Sequence, residues 1–349
     1  MTTGIPSGLG ATIGIGQETT YNTGVTPTEW IYFKKEGFEF KKTSVVSEGL
    51  GAGRVQLGGR RVVPQVSVDG NIDLEVTERS MGLLFKNMLG SSATATQISS
   101  TTAYKQVHAM GTTLGSFTTQ VGRPDVTGTI RPFTYTGCKI TDWSLGVQAG
   151  QIADLQVTVD GAAATTATSY TAASFVNSTP LHFAEGLLTL GGTVSTTGGA
   201  ASVSGGTTIS SGGSYAGAVK AVTVKATNPM NVDRRTLGSL TKLAPLPNGF
   251  MAITGDLEIE FADLTTLYNV FAATTETTTA VEFSLVGAQI GTSGYYATVD
   301  VVLPQVFFDT DQTVIEGPDL VTAKVGFTAL YDGTNTPVQI TYTSADTSL

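Results

Sequence analysis

Gly70-Asn71-Ile72-Asp73-Leu74-Glu75-Val76 returns 185 residues later as Gly255-Asp256-Leu257-Glu258-Ile259-Glu260-Phe261. Both stretches alternate apolar and polar residues with period two, the pattern of a strand with one buried face. Their surroundings recur in the same order. Phe38-Glu39-Phe40-Lys41-Lys42-Thr43 matches Val222-Thr223-Val224-Lys225-Ala226-Thr227 at an offset of 184, and two stretches with helical spacing follow at 183: Met81, Leu84, Phe85, Met88 and Leu264, Leu267, Tyr268, Phe271. These predict short amphipathic helices. Thr77 or Glu78 is placed to open the first and Gly90 to close it, while Asp263 occupies an N-cap position in the second. Each copy also carries a long loop with paired arginines, Arg60-Arg61 and Arg234-Arg235, and later Gly150 to Asp160-Gly161 parallels Gly317 to Asp332-Gly333. Any two segments of alternating strands look alike, which is the plain alternative to a duplication. Structureless connections above about 12–15 residues are uncommon, however, and two at equivalent places favour the duplication.

The expected fold class is therefore mainly β: a β-sandwich or barrel with short flanking α-helices, in two tandem repeats. Residues 1–29 form an N-terminal arm, 30–165 a first β domain, and 166–349 a second with a Ser/Gly-rich insertion at 193–216. Residues 162–180 and 193–216 read as exposed hairpin tips or linker. Charged residues are only 13% and hydrophobic ones 40%, outside the signature of disorder. A net charge of −9 gives the whole chain no attraction for nucleic acid or anionic lipid. Cys138 is the single cysteine and so forms no disulfide within the chain. The start MTTGIPSGLG lacks a signal-peptide pattern and no apolar run is long enough to span a membrane, so synthesis in a reducing cytoplasm is expected.

Catalytic constellations are not apparent. His108 and His182 lack neighbours at metal-ligand spacing, Cys138 reads as a buried structural thiol, and no Gly-x-Ser-x-Gly elbow occurs. The Gly8–Gly14 and Gly49–Arg54 stretches lack the strand-then-helix context of a phosphate loop. Asp309-Thr310-Asp311-Gln312-Thr313 with Glu316 is a partial calcium-loop pattern without the central glycine, and a solvated turn is the preferred reading. Arg54, Arg60 and Arg61 suit phosphate, or equally the carboxylates of a neighbouring subunit. Trp30, Trp143 and the tyrosines leave a glycan-binding module as a second function class. No enzyme, cofactor or metal is expected.

The order of motifs resembles the major tail tube proteins of long-tailed bacterial and archaeal viruses, particularly those of actinobacterial siphophages. Gly16-Gln17-Glu18-Thr19-Thr20-Tyr21-Asn22-Thr23-Gly24 with Pro27 resembles the family's opening. Gly70 to Val76 with its helix resembles the central strand and helix, as does Gly255 to Phe271 with Leu267-Tyr268-Asn269. Phe327-Thr328-Ala329-Leu330-Tyr331-Asp332-Gly333-Thr334-Asn335-Thr336-Pro337-Val338 is similar to the terminal strand pair and turn. The resemblance implies a structural virion protein, made in the host cytoplasm, that stacks as rings into a tail tube for genome delivery. It also implies a tape measure protein and tail terminator or distal tail proteins as partners, and transient, non-specific passage of double-stranded DNA. Family rings present six tube domains, so a chain with two implies three copies, six copies being the alternative. On this reading Arg54, Arg60, Arg61, Arg234 and Arg235 lie in ring-contact loops, residues 45–63 and 228–249. Asp73, Glu75, Asp256, Glu258 and Glu260 either face the lumen or solubilise an outer surface.

Overall fold

The computed structural model describes residues 7–51, 53–91, 93–196, 207–214, 218–261, 264, 268–314 and 321–349. The first half of the chain contains β1 (Thr12–Glu18), β2 (Phe33–Glu36), β3 (Glu39–Val46), β4 (Arg61–Glu75), α1 (Gly82–Leu89), β5 (Tyr104–Ala109), β6 (Ser116–Pro124), β7 (Ile130–Gln148), β8 (Asp154–Gly161) and β9 (Ala163–Thr165). The second contains β10 (Gly186–Leu190), β11 (Val219–Thr227), β12 (Ala252–Glu260), α2 (Asn269–Phe271), β13 (Thr279–Gln289), β14 (Tyr296–Val314), β15 (Thr322–Ala329) and β16 (Gln339–Ser344). Alternation builds these strands: in β8, Leu155, Val157 and Val159 are buried while Gln156 and Thr158 stand in solvent.

One pairing plan occurs twice. The first half pairs antiparallel in the order β3–β4–β8–β7–β6–β1, with β9 also on β7. The second pairs as β11–β12–β15–β14–β13–β10, with β16 also on β14. The irregularities coincide as well. The β7–β8 ladder skips Thr141 and the β14–β15 ladder skips Asp309. On β6–β7 the register slips between Phe117 and Thr119, and on β13–β14 between Thr279 and Val281. The β2–β4 ladder slips between Phe33 and Lys35, as β11–β12 does between Val219 and Ala221. A bulge bends its strand and raises the local twist, so the two halves are bent at matching points.

These ladders correct two details of the sequence alignment. Lys35–Lys41 take the places of Ala221–Thr227, an offset of 186 rather than 184. A shift of two keeps every side chain on its face, which is why alternation could not detect it. Asp160-Gly161 corresponds to Thr328-Ala329, not to Asp332-Gly333, which lies in a turn beyond β15.

The halves join at β7, which pairs with β8 on one side and with β11 on the other, from Ala221 opposite Gln148 to Thr227 opposite Asp142. The result is one sheet of eight strands, β3–β4–β8–β7–β11–β12–β15–β14. The long strands β7 and β14 leave this sheet at their N-terminal ends to join a second layer with β6 and β13, and the core lies between the layers. A second link runs through β5, which pairs with β16.

Helix α1 opens at Gly82, later than Thr77 or Glu78, because the Thr77 hydroxyl donates to the Arg79 carbonyl at 2.8 Å and Ser80 turns the chain at φ 65°. Gly90 closes it in the left-handed conformation, φ 74°. It is buried on nearly every side rather than amphipathic, since Phe85 meets the Tyr342 ring of β16 edge-on at 5.5 Å. Of the second expected helix, Asp263 and Leu267 lie outside the described residues; Leu264, Tyr268 and Phe271 are exposed. The 309–313 stretch is strand, not turn, and Glu316 is outside the described residues. Of residues 162–180, Ala163–Thr165 form β9 on β7, while much of the rest is exposed yet tied to the body at points: Phe175 stacks on Tyr32 at 4.9 Å, and Thr171 N donates to Gln120 at 2.8 Å. In the 193–216 insertion, Thr193–Thr196 and Thr207–Ser210 form a hairpin.

Candidate functional site

The face of the eight-stranded sheet turned away from the core is polar and concave. Its central hollow, about 670 Å³, crosses the seam between the halves and is lined by residues including Ser144, Gln156, Thr223, Asp256, Glu258 and Lys324. Ile72, Leu74, Leu257 and Ile259 point into the core. Alternation therefore puts Asp73, Glu75, Asp256, Glu258 and Glu260 together on the polar face. Asp73 lies opposite Gln156, Glu75 opposite Asp154, and Glu260 opposite Thr322.

This face is not a bare band of carboxylates. Lys225 Nζ approaches Asp256 Oδ2 at 2.6 Å, Lys41 Nζ approaches Asp69 Oδ2 at 2.5 Å, and Lys34 pairs with Asp154. Lys324 stands opposite Glu258. Such exposed pairs are screened by solvent and add little stability, but they subtract from the negative field. The sequence carried a usable sign of this, since Lys225 alternates in phase with Thr223 on β11.

The arginines separate into two groups. Arg54 and Arg61 are exposed, and Arg60 Nη1 donates to Gly49 O at 3.3 Å, closing its own loop. That loop is shorter than expected, because β3 and β4 pair out to Val46 and Arg61. Arg234 and Arg235 are engaged inside the chain: Arg234 Nη1 donates to Ala244 O at 2.6 Å, and Arg235 Nη1 donates to Val66 O at 3.2 Å. Their loop, 228–249, lies over the end of the first half. Val66 N donates to Leu240 O at 3.1 Å, Lys139 Nζ donates to Pro245 O at 3.2 Å, and Asn228 N donates to Thr141 O at 2.7 Å. Lys242 and Asp160 form a buried ion pair there. Burial raises the Asp160 carboxyl above its usual range despite the ammonium beside it.

The remaining candidates are structural. Cys138 is buried and its thiol is pushed up by desolvation. His108 is buried between Ser91 and Gln106, its imidazole pushed down to about 3 by burial and by Lys86. His182 pairs with Glu185 at 3.3 Å, and Trp143 is in the core. Among the described residues no cluster of side chains suits a metal ion, and no helix is long and apolar enough to cross a membrane.

The family model described as phage tail tube protein matches residues 8–329. No curated protein matches the sequence.

Proposed function

The chain belongs to the phage tail tube protein family, and on that premise we propose that this structural protein of the virion tail polymerises into stacked rings whose bore, lined by the concave polar face, carries double-stranded DNA into the host. The observation that supports this most is the continuity of the concave sheet across the β7–β11 seam. One chain supplies two adjacent segments of a wall, and repeating that seam between chains removes exposed sheet edges. The two units correspond to residues 30–165 and 166–349, and the expected arm 1–29 is in part a strand of the first unit, since β1 pairs along β6 with Ile13 and Ile15 in the core. Three chains then make a ring of six units, and rings stack through head-to-tail contacts that never close. The tube encloses a tape measure protein and ends on terminator and distal tail proteins.

The acids of the concave face repel a duplex whose own charges recur about every 1.7 Å, within a screening length of about 8–10 Å. DNA therefore slides without adhering to the wall. Electron microscopy of purified, concentrated protein tests the reading: tubes of stacked rings with threefold rotational symmetry are expected. A persistent monomer that instead binds oligosaccharide would overturn it. True sixfold symmetry with one chain per sixfold unit would sink the tandem arrangement while leaving the tube intact.

A further inference from the structure

The two long loops occupy equivalent places but have opposite surroundings. Residues 47–60 fall between Lys41 and Asp69 as residues 228–249 fall between Thr227 and Thr254, over almost equal lengths. The second loop closes over the end of the first unit, at Val66, Lys139 and Asp160. The matching end of the second unit, at Met251, Phe307 and Thr328, presents apolar side chains to solvent: Phe250 is 97% exposed, Leu330 50% and Tyr331 60%. Ile253 lies opposite Ala329, so Phe250 and Leu330 leave the sheet at the same end. Loop 47–60 in turn carries apolar side chains with nothing over them, Leu50 at 98% and Val55 at 70% exposure.

We propose that loop 47–60 of one chain closes over the Phe250–Leu330–Tyr331 end of a second copy, as loop 228–249 closes over the first unit within the chain. The occupant is fixed by the repeat. The second loop reaches the first unit because β11 pairs with β7, placing Thr227 opposite Asp142. The same seam between two copies places Lys41 opposite Thr310, and the following loop then arrives over the uncapped end. Charge agrees, since the loop exposes Arg54, and Arg61 at the start of β4 is exposed beside it, while the receiving end exposes Asp309 and Asp332. Burying the two apolar sets against each other removes them from water together. An exposed cluster of this kind is otherwise an aggregation liability. The inference rests on the ring reading above and specifies its lateral contact.

Amide hydrogen exchange on assembled tubes and on dispersed subunits tests it. Amides of the described part of 47–60 are expected to exchange at least tenfold more slowly in tubes. Tubes of the Phe250→Ser/Leu330→Ser variant are expected to lose that protection, although both substitutions lie far from the loop in sequence. A loop that stays unprotected in wild-type tubes, or protection that survives in the variant, overturns the proposal. If the variant does not assemble, cysteine pairs decide, because Cys138 is buried and silent. Leu57→Cys/Tyr331→Cys is expected to link chains on oxidation, alongside a Lys41→Cys/Thr310→Cys control across the seam. Linking by the control pair alone refutes the loop contact and keeps the ring; absence of both links and of tubes refutes the ring reading itself.

Discussion

Glu282 on β13 and Asp300 on β14 share a hydrogen bond within the electrostatic reach of Lys105, with the Ser284 hydroxyl donating to Asp300 Oδ1 at 2.7 Å. Burial and the neighbouring Asp300 carboxylate push Glu282 up to about 7, and burial raises Asp300 as well. Burial also lowers Lys105, which Asp300 partly restores. A carboxyl whose folded pKa is raised contributes stability below its unfolded value, and that contribution fades as pH climbs through the folded value. Dispersed subunits are expected to lose stability between about pH 4.5 and 7 relative to Glu282→Gln, which holds its hydrogen bond without a proton to lose. Because Glu282 is only half-buried, the difference at pH 8 is about 1–2 kcal/mol after solvent screening. Thermal unfolding of both proteins across that pH range measures it, and parallel curves would refute the shared proton. Nothing in the sequence marked this pair. The two acids are distant in the chain, and only hairpin register sets them side by side.

Among elements, the loop 228–249 is anchored to β8 by the Lys242–Asp160 pair, 3% and 9% exposed at the side chain. Removing one partner of a buried pair strands the other charge and costs about 3–5 kcal/mol, whereas replacing both by apolar groups is close to neutral. Lys242→Ala is expected to lower the unfolding midpoint sharply and Lys242→Met/Asp160→Leu to restore most of it. Equal destabilisation by both variants would show that packing, not charge, holds the loop. Strands were the legible part of this fold. Period-two alternation fixes which residues face the core, so Ile72, Leu74, Leu257 and Ile259 were assigned inward correctly. Alternation says nothing of the partner strand, so neither the β7–β11 seam nor the β5–β16 link was readable. Helix α1 was legible in kind, but its full burial was not, because the covering Tyr342 comes from the far end of the chain. The acids were placed on one polar face by the same reasoning. Lys34, Lys225 and Lys324 were missed there, because the carboxylates paired with the first two and the glutamate opposite the third sit on neighbouring strands.

At the scale of the whole molecule, the proposed tube makes the sign of the concave face the property that DNA would meet. Substituting Asp73, Glu75, Glu258 and Glu260 with lysine exchanges repulsion for phosphate contacts in every ring, since each neutralised phosphate releases counterions. Tubes are expected to form at near-normal yield, because these side chains lie outside the core, while DNA delivery falls by at least tenfold and recovers in part at raised salt. Unchanged infectivity, or an electron-density map with these side chains on the outer wall, would refute the assignment.

The β7–β11 seam also bears on how quickly a ring can begin. Each independent body recruited into an assembly gives up translational and rotational freedom, at about 4–15 kcal/mol. Six separate units meet that penalty five times; three tandem chains meet it twice, the other seams being present from synthesis. Nucleation then depends on a lower power of subunit concentration, and rings start while the protein is still scarce. In the proposed ring alternate seams are unequal, one kind backed by the peptide chain and the other held by contact alone, so a dissolving tube is expected to shed its units in pairs.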